Sequence, residues 1–394
     1  MNASVVRAER HATVRRWARG CRRERLMDDV ALVTIESAHP DDRRRLGPVF
    51  RSLAFFFAAF AITAAFALVM LVVKPPDSGA AVLALILGAG LWAATEGLKG
   101  PLRMADTGIE AVTALAGAAF MAGGSAYMIS EVLKVRDPAG ARLFALSVVV
   151  LFALTALRWG STAGALASTL WLGLLLGQFP QTRATWVAAG LILAPLALRG
   201  SESARLAPSH RRACGAVLIM ALAGLYVALH IGSWDGRNLE QGSSWLFRAG
   251  RSAALPVPRA FFKVATAVVP LALLAYAIVT RRRLLLAIGL ALGVVSLITL
   301  RFYVHIADLW IVLSAAGSGL IVLALCLRRW LDASAEHERA GWTARRLSGD
   351  RALIQAAEAV VTVVAATPRA TAPEAPRFEG SGGRSGGGGV TSEF

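Results

Sequence analysis

The feature that most constrains this chain is a series of apolar stretches, each about 15 to 20 residues long, separated by short arginine-rich segments. Wound as an α-helix rising 1.5 Å per residue, a stretch of that length covers most or all of a hydrocarbon layer about 30 Å thick. A soluble fold could not hide so much apolar surface. Of the 394 residues 56% are hydrophobic, the mean hydropathy is +0.57 and only 17% are charged, where soluble domains hold about a quarter. The expected fold is all-α: a polytopic transmembrane helix bundle of about ten spans.

Hydropathy and turn chemistry place the spans at 53–73, 79–95, 111–130, 143–157, 160–178, 184–198, 213–231, 264–280, 284–300 and 309–327. Sharp stops separate several of them: Lys74-Pro75-Pro76-Asp77, Arg158-Trp159, Arg281-Arg282-Arg283 and Arg328-Arg329. The stretches 143–157 and 184–198 are the shortest, and segments of that length either span or sit as re-entrant or tilted neighbours. Four regions follow: an Arg-rich N-terminal segment, 1–52; the bundle, 53–327; a tail, 328–378; and a glycine-rich end, 379–394. Within the tail, Leu353, Ala357, Val360, Val361 and Val364 share one helical face, with Asp350 placed to cap the start and Pro368 to stop it. The same β-branched run also permits a strand. The end, with seven glycines in its last fifteen residues, is expected to be disordered.

The formal charge is +17, which in a soluble chain would raise nucleic acid as a partner. Here most of the excess lies between apolar runs, where Arg and Lys fix orientation and meet anionic lipid. With ten spans and the N-terminus inside, cytoplasmic segments hold 31 of the 42 Lys and Arg residues and outer loops hold 11. Both termini are therefore expected in the cytoplasm of a bacterial cell with the protein in its inner membrane, and the expected partners are membrane lipids rather than nucleic acid. Arg outnumbers Lys by 38 to 4, a bias that suggests a GC-rich genome. No secretory signal is expected, because Arg15, Arg16, Arg19, Arg22, Arg23 and Arg25 stand where its apolar region would be. Composition shifts at Met27-Asp28-Asp29-Val30, so residues 1–26 are expected to be dispensable or not translated. Cys21, Cys214 and Cys326 are far apart, have no metal-binding spacing and read as free thiols. Trp159, Trp234, Trp310 and Trp330 fall at span ends, while Trp171 and Trp186 are expected to pack between helices.

Chemistry-bearing residues are sparse. No span as drawn contains Asp, Glu, Lys or Arg, which lowers the prospect of an ion-coupled transporter or proton pump. Motifs of the form GxxxxGK[ST], HExxH, GxSxG and CxxC are missing, and no catalytic residue, cofactor or metal is expected. Arg301, His305 and Asp308 would lie within about 60° on one face if the helix continues there, forming a pH-sensitive outer cluster with His230 and Asp235 as further candidate members. The plainer alternative is a solvated loop. The 232–263 segment mixes Trp245, Phe247, Phe261 and Phe262 with Arg248, Arg251 and Arg259, which suits a stretch lying on the outer membrane surface or a lid over a cavity. Spacings of the GxxxG kind at Gly160/Gly164, Gly173/Gly177 and Gly289/Gly293 read as packing within the bundle. Glu393 and Phe394, on a tether of about 15 residues reaching roughly 20 Å, form a candidate docking terminus.

Asp41-Asp42-Arg43-Arg44-Arg45-Leu46-Gly47 leads into an Ala/Phe-rich span, and Glu110-Ala111-Val112-Thr113-Ala114-Leu115-Ala116-Gly117 opens another. With the short hairpins through about residue 200, these resemble a family of bacterial polytopic membrane proteins of unknown function. The Gly380–Gly389 stretch closing on Phe394 is similar to the glycine-rich ends of TPM-domain envelope proteins, although the TPM domain itself is absent. Neither resemblance implies catalytic residues. The expected function is a non-enzymatic scaffold or accessory component of the cell envelope, binding an envelope protein through its cytoplasmic tails. The alternatives are a transporter or channel for a neutral or lipid-like substrate, and a membrane-embedded transferase.

Overall fold

The computed structural model describes residues 3–23, 26–135, 137–179, 182–230, 259–304, 309–333, 338–339 and 342–343. The chain divides into two compact units, Met1–Leu327 and Arg328–Phe394. The described residues are overwhelmingly helical. In order they form α1 (Ala3–Arg23), α2 (Asp29–Ala38), α3 (Pro48–Val73), α4 (Asp77–Lys99), α5 (Ile109–Tyr127), α6 (Asp137–Trp159), α7 (Thr162–Leu176), α8 (Thr182–Glu202), α9 (Pro208–Leu229), α10 (Arg259–Thr280), α11 (Arg283–Val304) and α12 (Leu309–Asp332). A π-helical turn, Met128–Val132, prolongs α5.

Among the described residues, seven helices are long and apolar enough to cross a membrane: α3, α4, α5, α6, α8, α9 and α10. That is the construction of a multi-pass membrane protein. Several lengths differ from the reading of the sequence, three of them enough to change which stretch is the short one. The stretches read as shortest, 143–157 and 184–198, lie inside helices of 23 and 21 residues. Their polar flanks hid turns that the helices include. The stretch read as 160–178 is instead the short one: α7 has 15 residues, because Ser161 caps its start through Gly164 N–H and the helix closes at Gly177. The turn at Lys74-Pro75-Pro76 forms as expected, with Lys74 left-handed at φ 45° after Val73 and α4 beginning at Asp77.

Small residues set the closest approach in the bundle. Along the α4–α5 hairpin, Ala81, Ala84 and Gly88 of one helix and Gly117, Ala118, Ala122 and Gly124 of the other are all buried. A Cβ built on Gly88 would lie 2.8 Å from the Gly117 carbonyl oxygen, and one on Gly117 would lie 2.9 Å from that of Gly88. Trp92 Nε1 donates to the Ala114 carbonyl at 3.1 Å, and the Thr95 hydroxyl donates to Thr113 at 2.9 Å. Of the GxxxG pairs singled out above, Gly164 and Gly289 do abut neighbouring helices, while Gly293 faces open space. Farther along, α9 is central. It packs on α7 through Ala165, Ala213 and Ala216, and joins α8, α10 and α11 through Ala197, Leu218, Ala277 and Leu285. Trp171 lies edge-on to Phe144 at 5.6 Å, and Trp186 Nε1 donates to the Gly173 carbonyl at 3.0 Å, so both pack between helices as expected. Cys21, Cys214 and Cys326 are free thiols.

The N-terminal segment is structured. α1 buries Val5, Ala8, Ala12, Ala18 and Cys21. Arg10 donates to the carbonyls of Ala204 and Arg205, both at 3.3 Å, and Glu9 accepts from Ser209 N at 3.2 Å. Residues expected to be dispensable thus make packing that a deletion would remove. α1 and α2 are clasped by Arg19–Glu36 at 2.6 Å, Arg15–Glu36 at 3.6 Å, and Arg22–Asp29. The Arg19 hydrogen bond holds the Glu36 carboxyl below its usual range, and that of Arg22 does the same for Asp29. A depressed carboxyl pKa contributes stability above the unfolded value, near 4, and loses it as pH falls through the lowered folded value. Spin labels replacing the exposed Trp17 and Val33 should therefore report a narrow distance distribution at pH 7 that broadens at pH 3. An unchanged distribution would show that the ion pairs do not hold the clasp.

In the second unit, Arg328 and Asp332 pair one turn apart at 3.6 Å, and Glu338-Arg339 lies antiparallel to Trp342-Thr343. That two-residue ladder was not anticipated. The expected helix at 350–367 and the glycine-rich end lie outside the described residues.

Candidate functional site

The helices α3, α5, α7 and α9 all begin at the same end of the bundle, and the segments linking them build a vestibule there. Residues 41–45 run as an extended strap beside the α4–α5 loop. Arg44 N donates to the Arg103 carbonyl at 3.1 Å and Ala105 N to the Arg44 carbonyl at 3.0 Å. The loop turns through left-handed residues, Arg103 at φ 50°, Asp106 at φ 57° and Gly108 at φ 92°. Aspartate tolerates this conformation better than most residues. At Gly108 a Cβ would strike the Arg51 carbonyl, so a side chain is excluded there on space as well as on φ.

Charged groups then interlock. Asp106 meets Arg45 at 2.5 Å and Arg51 at 3.4 Å, while Arg45 also meets Asp41 at 2.8 Å. Arg43 donates to the Lys99 carbonyl at 2.8 Å, and Lys99 Nζ donates to the Trp159 carbonyl at 3.2 Å. The Trp159 indole N–H donates to Glu96 at 3.0 Å, Arg158 pairs with the same oxygen at 2.6 Å, and the ring lies edge-on to Trp92 at 5.5 Å. Trp159 stands at a helix end, as its sequence position implied, but it is only 5% exposed and belongs to the packing. Glu110, buried in the first turn of α5, accepts from Thr107 N at 3.1 Å and from the Thr107 hydroxyl. These bonds brace the turn that leads into α5, Thr107 standing one residue ahead of the N-cap Gly108.

Between them lies a half-open cavity of about 440 Å³. Its polar side is formed by Glu9, Arg43, Arg45, Lys99, Ser209 and Arg212, and its apolar side by Phe55, Phe56, Ala114 and Leu115. A larger cavity of about 830 Å³ adjoins it, sharing Glu9, Arg45, Asp106, Thr162 and Arg212. Its apolar wall is made by Leu166, Leu218, Ile219 and Leu285. Three polar atoms around the first cavity are buried without a hydrogen-bond partner: Arg43 Nε, Arg45 Nη2 and Ser209 Oγ.

The residues singled out from sequence lie elsewhere. His230 closes α9 at the other end of that helix, where its Nε2 is 3.1 Å from the Thr299 hydroxyl of α11 and its ring is 5.1 Å from that of Tyr226. The end of α9 therefore meets α11 two residues before Arg301, which lies in α11. Asp235, His305, Asp308, Glu393 and Phe394 lie outside the described residues, as does most of the 232–263 segment. Among the described residues no group of three His, Cys, Asp or Glu side chains is placed to hold a metal. Sequence reasoning missed the vestibule. Three local signals fall within it: the Asp41–Gly47 and Glu110–Gly117 stretches quoted above, and Thr107-x-x-Glu110 ahead of an apolar run.

Fold and site together define a helical multi-pass membrane protein with a polar, basic vestibule at one end of its bundle. No protein-family model matches the chain, and neither a curated protein nor a solved structure matches it.

Proposed function

We propose that the chain is a ten-span protein of the bacterial inner membrane, with both termini cytoplasmic, and that it serves the envelope as a non-enzymatic scaffold or accessory component. The observation that carries the topology is the company the loops keep. Five segments assigned to the cytoplasm from charge alone, 1–52, 96–110, 158–159, 199–212 and 281–283, meet at one end. Arg45 reaches Asp106, Lys99 reaches Trp159, Glu9 reaches Ser209, and Arg282 pairs with Glu202 at 2.7 Å. Segments assigned outside also meet one another, Arg142 lying over the Phe179 ring at 5.0 Å. Adding α7, α11 and α12 to the seven long apolar helices supports the count of ten, and an even count returns the chain to its starting side.

The scaffold reading is supported by where the space lies. The lining of the two cavities stops about two turns into α3 and α5, at Phe56 and Leu115, and about three turns into α9, at Ile219, while the middle of the α4–α5 pair is closed by glycine against backbone. The apolar wall of the larger cavity favours a second reading, transport of a lipid-like substrate. The resemblance of the N-terminal half to bacterial polytopic membrane proteins fits both.

Reporter fusions read the topology. Fusions at the N-terminus, after Leu206 and at the C-terminus should be active only with a cytoplasmic reporter, and one within 240–250 only with an exported reporter. An exported C-terminus or a cytoplasmic 240–250 segment overturns the proposal. Cross-linking in native membranes, followed by purification of full-length protein and of a chain ending at residue 333, tests the scaffold reading. Identical protein partners in both would move partner binding away from the tail.

A further inference from the structure

We propose that the smaller cavity binds a phosphate oxyanion, and that the group bearing it is the headgroup of an anionic membrane lipid whose acyl chain lies against Phe55, Phe56 and Leu115. This goes beyond the scaffold reading and does not depend on which side of the membrane the vestibule faces.

The first support is the set of donors. Arg43 Nε, Arg45 Nη2 and Ser209 Oγ are buried without partners, and all three residues line this one cavity. Ser209 is only 6% exposed. Buried polar groups are almost always paired, and the one space these three residues share is this cavity, Arg43 and Arg45 also bordering its neighbours. Lys99 adds an ammonium with three N–H groups, one of them directed at the Trp159 carbonyl.

The second support is charge. Arg43, Arg45, Arg51, Lys99 and Arg212 line the cavity with Glu9, Asp106 and Glu110. The three carboxylates are already engaged, by Ser209 N, by Arg45 and Arg51, and by Thr107. Helix starts carry partial positive charge, and those of α3, α5, α7 and α9 converge here. Two carboxylates of the chain itself, Glu9 and Glu110, sit on backbone amides at or beside those starts. α3 begins with no side-chain cap.

The third support selects the bearer of the phosphate. Polarity is layered. Arginine, lysine and serine lie at loop level, while Leu115 stands six residues beyond the first residue of α5, about 9 Å farther along the axis. Phe55 and Phe56 stand about two turns into α3. A free phosphate would use only the polar shelf. A lipid uses both layers, in the order in which a leaflet presents headgroup and chain. The volume of about 440 Å³ suits a headgroup with the first part of its chains.

The test uses the purified full-length protein in detergent, with binding read by native mass spectrometry and by thermal melting. The probes are phosphatidylglycerol, phosphatidylcholine with the same chains, and inorganic phosphate. Phosphatidylglycerol should bind more tightly than phosphatidylcholine. The double variant Lys99→Gln/Arg212→Gln should weaken phosphatidylglycerol binding by roughly tenfold or more, as expected when charge-assisted hydrogen bonds are lost. Arg212→Lys should recover part of the loss in the Lys99 wild-type background. Lys263→Gln, at the opposite end of the bundle, should change nothing. If the double variant does not fold, Ser209→Ala, which removes only a hydroxyl, should still weaken binding several-fold. Inorganic phosphate binding with the same variant sensitivity, without preference for the lipid, overturns the lipid assignment and leaves an oxyanion site. Equal phosphatidylglycerol binding by wild type and folded variants overturns the proposal altogether.

Discussion

Gly117→Ala is expected to lower the melting temperature of the purified protein, while Gly224→Ala leaves it level or raises it. Both glycines are in helix interiors, where alanine is intrinsically preferred by about 1 kcal/mol. What differs is the space. A Cβ on Gly224 meets nothing within 4 Å. One on Gly117 strikes the Trp92 ring and approaches the Gly88 carbonyl oxygen to 2.9 Å, and that oxygen is backbone and cannot rotate away. Overpacking of this kind costs about 1–3 kcal/mol, enough to outweigh the propensity gain. Gly117→Leu should exceed it, at about 3 kcal/mol or more, and should open the α4–α5 hairpin. Unfolding in mixed micelles compares the three variants. Equal effects of alanine at both positions would mean that the two helices do not approach as closely as described.

Trp159→Ala should be comparably damaging, at about 3 kcal/mol or more. The side chain is 5% exposed, packs edge-on against Trp92 and donates to Glu96. Removing it leaves a hole beside Trp92 and takes from the Glu96 oxygen one of its two donors, Arg158 being the other. Trp159→Phe separates the contributions. It keeps most of the ring and should lose only about 1 kcal/mol, the ordinary net value of one hydrogen bond. Matching losses for Ala and Phe would place the stabilisation in the N–H rather than in the packing.

Much of the bundle was legible because its signals are local. The Lys74-Pro75-Pro76 stop, the Arg281–Arg283 break and the apolar runs each declare themselves within twenty residues. Lengths were harder at α6 and α8, where polar residues such as Asp137, Arg199 and Glu202 belong to the helix but not to the apolar stretch. α1 escaped because its buried side is made largely of alanine and other small residues, which score too low in hydropathy to stand out among so many arginines. The long-range pairing of the vestibule had almost no local trace. Its defining pairs, Arg45 with Asp106 and Glu9 with Ser209, are 61 and 200 residues apart. No periodicity reaches that far. The outer cluster around Arg301, by contrast, was proposed from spacing alone and has only His230, with its Thr299 partner, among the described side chains.

The separation of Glu9 from its partner has a consequence for biosynthesis. A ribosome adding roughly 5–20 residues each second emits α1 some 10–40 s before the start of α9 exists to receive it. Throughout that interval six or more apolar helices must leave the ribosome and enter the bilayer while α1 waits in water. Its composition suits the wait. Arg7, Arg10, Arg15, Arg16, Arg19, Arg22 and Arg23 keep it soluble, and its apolar side is too small to commit it to the translocation machinery. The clasp with α2, whose residues follow immediately, can form within that time. Docking of the pair then becomes a late step, possible only after the bundle has brought residues 204–209 to the surface, so that a nascent chain arrested before α9 would hold α1 and α2 paired but undocked.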